Sequence, residues 1–320
     1  REGGSWRVEL RDARNGATRV VYARALVNAA GPWVSEVIER AGAQSTRKVR
    51  LVKGSHLVTP KFWEGPHSYL VQNHDRRVIF INAYEGDKAL IGTTDVPWDG
   101  APETVAITDD EIDYLLSAVN RYFKHPLRKQ DIVETFSGVR PLYDDGKGNP
   151  SAVTRDYVFD LDERGGAPLL NVFGGKITTF RKLSEHALQK LRPTFPTMGA
   201  NWTASATLPG GDIEGADVPR FMAHLQKQYE WLPRNLLRYY TQTHGTLTAQ
   251  VLNGATSLAG LGQQFGPNFY EAEARYLMAN EWAQSAEDML TRRTKHALHM
   301  NAAQKAAFEA WLDGLVRKSA

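Results

Sequence analysis

The stretch VFGGKITTFRK, residues 172–182, concentrates the residue types that could hold an electron-rich ligand. An apolar strand ends on Gly174 and Gly175, and a helix opens with Lys176, Ile177, Thr178 and Thr179. Glycines let a ligand approach the backbone closely. The N–H groups of a first helical turn have no partner within the helix and point at whatever sits there, so oxygens of a phosphate or of a ring carbonyl bind well. The alternative reading is a plain strand-to-helix turn with a solvated lysine.

Three further segments carry candidate chemistry. In TFSGVRPLY (135–143), Arg140 lies in an otherwise apolar strand end beside Gly138 and Pro141. A guanidinium keeps its charge there and needs an anionic partner, either a ligand or an Asp of the body. Arg155, in TRDY, either pairs with Asp156 or serves as a second anion contact. In VKGSH (52–56), His56 sits in an apolar strand and has the titration range of a proton acceptor; a satisfied core histidine is the other reading. IGTTD (91–95) ends a strand in hydroxyls and a carboxylate, which also suits an Asx-type turn.

Several chemistries are excluded. His224, His244, His296 and His299 fall in separate segments without metal-ligand spacing, so no metal site is expected. GxSxG, Walker A and GxGxxG patterns are absent. With no cysteine, disulfides, thiolate nucleophiles and cysteine-held metal centres drop out, which fits a reducing compartment. The 320 residues are 42% hydrophobic and 23% charged, ordinary for a folded chain of about two domains. An excess of three basic residues, 39 against 36, gives no reason to expect nucleic acid. No apolar run approaches the about 18–20 residues that span a bilayer, and the first residues lack the apolar region of a signal peptide.

The elements that must position these residues read as follows. WRVEL and TRVVYARALVNAA alternate as strands around a type I′ turn at Asn15-Gly16, and the end of the second, residues 25–30, reads as a strand buried on both faces. Gly31-Pro32 breaks it before a short helix closed by Gly42. Residues 49–92 are β-rich and expected to be mostly antiparallel. Thr108 and Glu111 make a capping box for a helix over 108–124. Strands return at DIVETFSGVRPLY, TRDYVFDLD and APLLNVFGG, and the Pro/Gly/Thr/Ser-rich 193–215 reads as a linker. Every later segment is helical in pattern.

In this order NAAGPWV, RLVKGSH, IGTTD, DIVETFSGVRPL, TRDY, FGGKITTFRKLSEHAL and LPGG resemble the FAD-dependent (respiratory, aerobic) glycerol-3-phosphate dehydrogenase family. The tail with FGPNFYEAEARYLMANEWAQSAEDMLTRRTK is similar to that family's C-terminal domain. The resemblance implies an α/β (α+β) body: a partial FAD-binding Rossmann-like domain (1–48 and 136–192) with an inserted, mostly antiparallel substrate-domain sheet (49–135). An all-α C-terminal domain (216–320) follows the linker. Because family members begin with a GxGxxG strand, the chain is expected to be a fragment lacking that region, so that it binds FAD weakly or not at all.

For the parent protein the resemblance implies oxidation of sn-glycerol 3-phosphate to dihydroxyacetone phosphate. The C2 hydride passes to FAD and the electrons to quinone, in a cytoplasmic enzyme held peripherally at the inner face of the membrane. It puts Arg140 and Lys176 at the flavin–substrate junction, Arg155 and Thr178 on the substrate, and His56 as proton acceptor. Gly174, Gly175, Lys176, Ile177, Thr178 and Thr179 line the flavin pyrimidine edge, with Ala30 and Gly31 near its phosphate or ribitol side. The rivals are a glycerol-phosphate oxidase using oxygen, an amino-acid oxidase of the same fold, and an inactive structural module. That module would form a homodimer or dock on acidic lipid through an exposed 290–295.

Overall fold

The computed structural model describes residues 1–144 and 156–319, which divide into the units Arg1–Ala204 and Ser205–Ala320. In the first unit, β1 (Trp6–Arg11) and β2 (Thr18–Ala23) pair antiparallel with Arg11 opposite Thr18. The loop is therefore residues 12–17, not the two-residue turn expected at Asn15-Gly16. Asn15 spends its side chain on the Ala17 amide, an Asx-type bond that competes with a tight turn. The run to Ala30 is also interrupted: β2 ends at Ala23, and β3 (Leu26–Asn28) joins another sheet. Val27 on β3 is 47% exposed, so this strand is not buried on both faces as expected. A 3₁₀ turn at Gly31–Trp33 then leads into α1 (Val34–Arg40).

The β-rich stretch forms β4 (Val49–Pro60), β5 (Tyr69–Gln72), β6 (Val78–Tyr84), β7 (Lys88–Gly92), β8 (Val96–Pro97) and β9 (Glu134–Tyr143). All pairings among them are antiparallel, in the order β5-β6-β7-β4-β8, with β9 along the other edge of β4. The expected division at 135/136 falls inside β9, which stays in the inserted sheet to Tyr143. α2 (Asp109–Asn120) covers one face. Its Leu115, Leu116, Ala118 and Val119 pack on Leu57, Ile79, Ile81 and Ile91. The expected capping box is present: the Glu111 amide donates to Thr108 Oγ1, and the Thr108 amide donates to Glu111 Oε2.

Glu111 does more than cap. It is buried against the sheet, where Lys53 Nζ, itself buried, pairs with Oε2 at 2.7 Å. Thr94 Oγ1 and Ser55 Oγ donate to Oε1 at 2.6 and 2.9 Å. Burial works to raise this carboxyl's pKa, but the bonds from Lys53, Thr94, the Thr108 amide and Ser55 outweigh it and hold the group at about 2.

The last sheet of the unit contains β10 (Tyr157–Asp162) and β11 (Leu169–Gly174), antiparallel to each other, with β3 parallel to β11. β11 is buried on both faces, its apolar run interrupted only by Asn171, whose Oδ1 accepts from Asn28 Nδ2. Phe173 packs with Val34 and Ile38 of α1, and Leu170 packs with Ala187 and Leu191 of α3 (Phe180–Leu191).

The second unit holds α4 (Val218–Gln228), α5 (Arg234–His244), α6 (Thr248–Leu252), α7 (Glu271–Asn280) and α8 (Ala302–Ser319). Its architecture is helical, as expected, with one short hairpin between α6 and α7 in the chain. β12 (Gln264–Gly266) and β13 (Phe269–Tyr270) form a small hairpin across Pro267-Asn268, which buries Phe265 and Phe269 in the helical core. Residues 288–293 wind as a wide π turn rather than an α-helix. Leu290 and Thr294 are buried, while Arg292 pairs with Glu287 and Asp288 and Arg293 donates to the Glu281 carbonyl. In the segment 290–295, Leu290 and Thr294 thus anchor the turn while Arg292 and Arg293 stay exposed, Arg292 with acidic neighbours of its own.

Two histidines that the sequence left scattered meet here. His244 and His296 contact Glu273, whose side chain is wholly buried, at 3.0 and 3.1 Å, and Tyr239 donates to the same carboxylate at 2.8 Å. Burial works to raise the Glu273 pKa, but the two histidine contacts keep it below the usual carboxylate range. Among the described residues no group of His, Asp or Glu is arranged to hold a metal ion, and no helix is long and apolar enough to cross a membrane.

Acid should weaken the first unit in a defined window. The folded pKa of Glu111, about 2, lies below its ordinary 4.5, so its stabilisation is complete above that ordinary value and is lost as pH falls through about 2. Denaturation followed against pH should show this slope in the wild type and a shallower one in a Lys53→Met/Glu111→Gln double variant. Equal slopes would remove the assignment.

Candidate functional site

Register decides which side chains meet. Val52, Gly54 and His56 of β4 stand opposite Arg140, Gly138 and Phe136 of β9. Directly opposed residues share a face and alternate residues take the other. Lys53, Ser55 and Leu57 therefore turn toward α2, and Gly54, His56, Phe136, Gly138 and Arg140 lie together on the opposite face.

The glycines make room for the two functional candidates. A Cβ on Gly54 would fall 2.3 Å from Arg140 Nη2, so the guanidinium lies directly across that glycine. There it donates to Asp95 Oδ1 at 2.8 Å, to Thr93 Oγ1 at 2.8 Å and to the Thr94 carbonyl at 3.3 Å. The pairing with an Asp of the body, one of the two readings left open, is made. It fixes the guanidinium in one orientation.

A Cβ on Gly92 would fall 2.3 Å from His56 Cδ2, so the imidazole lies over that residue while stacking on Phe136 at 4.8 Å and 10°. Its Nδ1 is buried without a hydrogen-bond partner. Burial, and then the charge of Arg140, push the His56 pKa below its ordinary 6.5. The ring is thus neutral at neutral pH and able to accept a proton.

The end of β9 touches the other sheet. A Cβ on Gly31 would lie 3.7 Å from Pro141 Cγ, and one on Gly174 would lie 3.2 Å from the Tyr143 amide nitrogen and 2.8 Å from the Asp156 carbonyl. Gly31 and Gly174 follow the carboxyl ends of the parallel strands β3 and β11, which Asn28 and Asn171 bridge at 2.9 Å. In α/β sheets that crevice is where ligands bind. After Gly174 and Gly175, residues 177–179 form a 3₁₀ turn leading into α3, and no side chain caps either start. Ile177 is 88% exposed, and Lys176 and Thr178 are exposed too. An uncapped helix start behind two glycines with an exposed apolar residue fits the edge of a flat, electron-rich ring.

The structure thus brings Arg140, His56, Gly31 and Gly174 around β9. Lys176, Ile177 and Thr178 are solvent-exposed at the turn, while Thr179 donates to the Lys176 carbonyl. Ala30 immediately precedes the Gly31 turn. Arg155 lies outside the described residues. A surface cavity of about 1110 Å3 beside α1 is lined by Glu39, Arg47, Asp160 and Arg164, none of them a candidate site residue.

Sequence reasoning missed the support. IGTTD was legible as a polar strand end, and an arginine in an apolar strand asks for such a partner. The lysine of VKGSH was the matching signal for Glu111, which capping alone seemed to explain.

Gly54→Ala and Gly174→Ala should differ in cost. At Gly54 the methyl meets no backbone, only the Arg140 guanidinium, so the loss should be about 1 kcal/mol, that of displacing Arg140 from Asp95 and Thr93. At Gly174, φ is +72° and the methyl meets a backbone carbonyl, so a loss of about 2 kcal/mol or more is expected. Thermal denaturation of both variants checks the order.

Comparison with known proteins gives the following. Residues 1–181 match the family model described as FAD dependent oxidoreductase, and residues 201–315 match the C-terminal domain of alpha-glycerophosphate oxidase. D-erythritol 1-phosphate dehydrogenase of Brucella abortus is 60% identical over 98% of this chain and 62% of its own length. The aerobic glycerol-3-phosphate dehydrogenase of Escherichia coli is 45% identical with the same coverage. The FAD complex of Bacillus halodurans glycerol-3-phosphate dehydrogenase superposes with a TM-score of 0.79 at 26% identity, over 99% of this chain and 62% of that one. The chain therefore spans about 62% of the length of these relatives. The family match takes up the chain at residue 1, and these relatives align over 98% of it.

Proposed function

We propose, since the chain belongs to the FAD dependent oxidoreductase family, that it serves the FAD-dependent oxidation of a short polyol phosphate, glycerol 3-phosphate to dihydroxyacetone phosphate. The observation that carries this reading is the shared sheet face on which a fixed cation, Arg140, stands near a neutral imidazole, His56. The names of the Escherichia coli and Bacillus halodurans relatives support the substrate, and the bound FAD of the latter supports the cofactor.

The backbone of residues 174–179, with Ala30 and Gly31, would hold FAD, which supplies the acceptor for the C2 hydride when bound. Arg140 orients a substrate oxygen over Gly54 and favours negative charge that develops there. With Nδ1 turned into the protein, His56 Nε2 takes the proton of the secondary hydroxyl. Lys176, Thr178 and Arg155 are the proposed contacts to the phosphate, a dianion that calls for fixed cations. Electrons pass on to quinone, at a peripheral site on the inner face of the membrane.

A second reading has its own support. The 60% identity to D-erythritol 1-phosphate dehydrogenase favours a substrate one carbon and one hydroxyl longer. Steady-state oxidation of both phosphates by the FAD-loaded protein, with a quinone analogue or oxygen as acceptor, separates the readings. Dihydroxyacetone phosphate formed at the higher kcat/KM supports the first. Preference for D-erythritol 1-phosphate supports the second, and turnover of neither removes both.

The proposed base also sets a pH limb. Because its pKa lies below 6.5, His56 should stay competent through neutrality, and kcat/KM should fall only as pH drops below the usual histidine range. His56→Gln should lower kcat by roughly 10²–10⁴-fold and abolish that limb; an unchanged limb would assign the base to another group.

A further inference from the structure

The Thr93–Asp95 turn presents three groups to Arg140 from three consecutive residues: a hydroxyl, a carbonyl and a carboxylate. Three such contacts can fix a guanidinium only if the turn is itself fixed. Its middle residue, Thr94, is buried and faces away from Arg140. Thr94 Oγ1 accepts from the Ser55 amide at 3.0 Å and donates to Glu111 Oε1 at 2.6 Å, so its rotor has one setting. The same Oε1 takes Ser55 Oγ, which also lies 2.8 Å from Ser137 Oγ on β9. Glu111 thus binds the turn, β4 and, through Ser55, β9, while Lys53 and the Thr108 amide hold its other oxygen.

We propose that Glu111 is a positioning residue for Arg140, setting the direction of the guanidinium from behind the sheet through the Thr93–Asp95 turn. Glu111 acts through Thr94, whose carbonyl and chain neighbours make the three contacts. The kinetic part of this proposal rests on the reading of Arg140 as a substrate contact; the structural part does not. A carboxylate whose only task was to cap α2 or to pair with Lys53 would not need Thr94.

Glu111→Ala would leave Lys53 buried without its partner and put folding at risk, so the test cuts the link at Thr94. Thr94→Val keeps the shape of the side chain and the Lys53–Glu111 pair but removes the oxygen, whereas Thr94→Ser restores it. Two quantities are read on the full chain. One is hindered rotation of the Arg140 guanidinium in ¹⁵N-arginine spectra, with its signal assigned through Arg140→Lys. The other is the split between KM and kcat for the polyol phosphate.

The expected result is a guanidinium that rotates freely in Thr94→Val and is held again in Thr94→Ser. KM should rise about tenfold in the valine variant, with recovery in the serine variant. An Arg140 equally restrained in wild type and Thr94→Val overturns the proposal. A loosened Arg140 with unchanged kinetics supports the positioning but removes Arg140 from the substrate site, which would sink the functional reading instead.

Discussion

β4 and β9 face each other without interruption from Val49 opposite Tyr143 to Val58 opposite Glu134, and the candidate site hangs on that pairing. A slip of β4 by one residue would turn His56 toward α2, bring Lys53 and Ser55 onto the open face and leave Arg140 of β9 without His56 beside it. The pairing is protected against such a slip by what lies behind it. Leu57 belongs to the α2 core, and Ser55 meets Ser137 across the strands. β9 also carries the pairing outward, since Pro141 and Tyr143 lie next to Gly31 and Gly174 of the second sheet. One strand thus fixes the distance between the catalytic candidates and the glycine turns.

Each unit contains a buried carboxylate at the third residue of a helix, Glu111 in α2 and Glu273 in α7. The position suits a carboxylate, because unsatisfied amides at a helix start favour negative charge. Each is then surrounded by donors from other elements: Lys53, Ser55 and Thr94 in one case, Tyr239, His244 and His296 in the other. Such clusters cost desolvation and offset it only when every lone pair is used, so they demand one arrangement of the elements that supply the donors. In the first unit that demand falls on the ground beneath Arg140.

The sequence made the large divisions legible because they follow from periodicity and punctuation. The capping box at Thr108, the largely apolar β11 and the glycine pair at 174–175 were all read where they stand. Register was not legible, since alternation shows that Arg140 and His56 lie in strands but not that they share a face. The Asp95 partner of Arg140 lies 45 residues away and the Glu273 cluster joins residues from three segments, so neither leaves a local pattern. Local competition explains the smaller differences. Asn15 turned its side chain to the backbone, and Pro267-Asn268 made a hairpin inside a stretch whose apolar spacing read as helix.

The glycines of the open face differ in what they can tolerate over evolutionary time. At 54 and 92 the space of a side chain is already taken by Arg140 and His56, so any replacement disturbs the charged chemistry. At 138, on the same face and between them, nothing lies within 4 Å of where a methyl group would stand. A side chain placed at 138 would therefore narrow the room above the sheet without displacing Arg140 or His56.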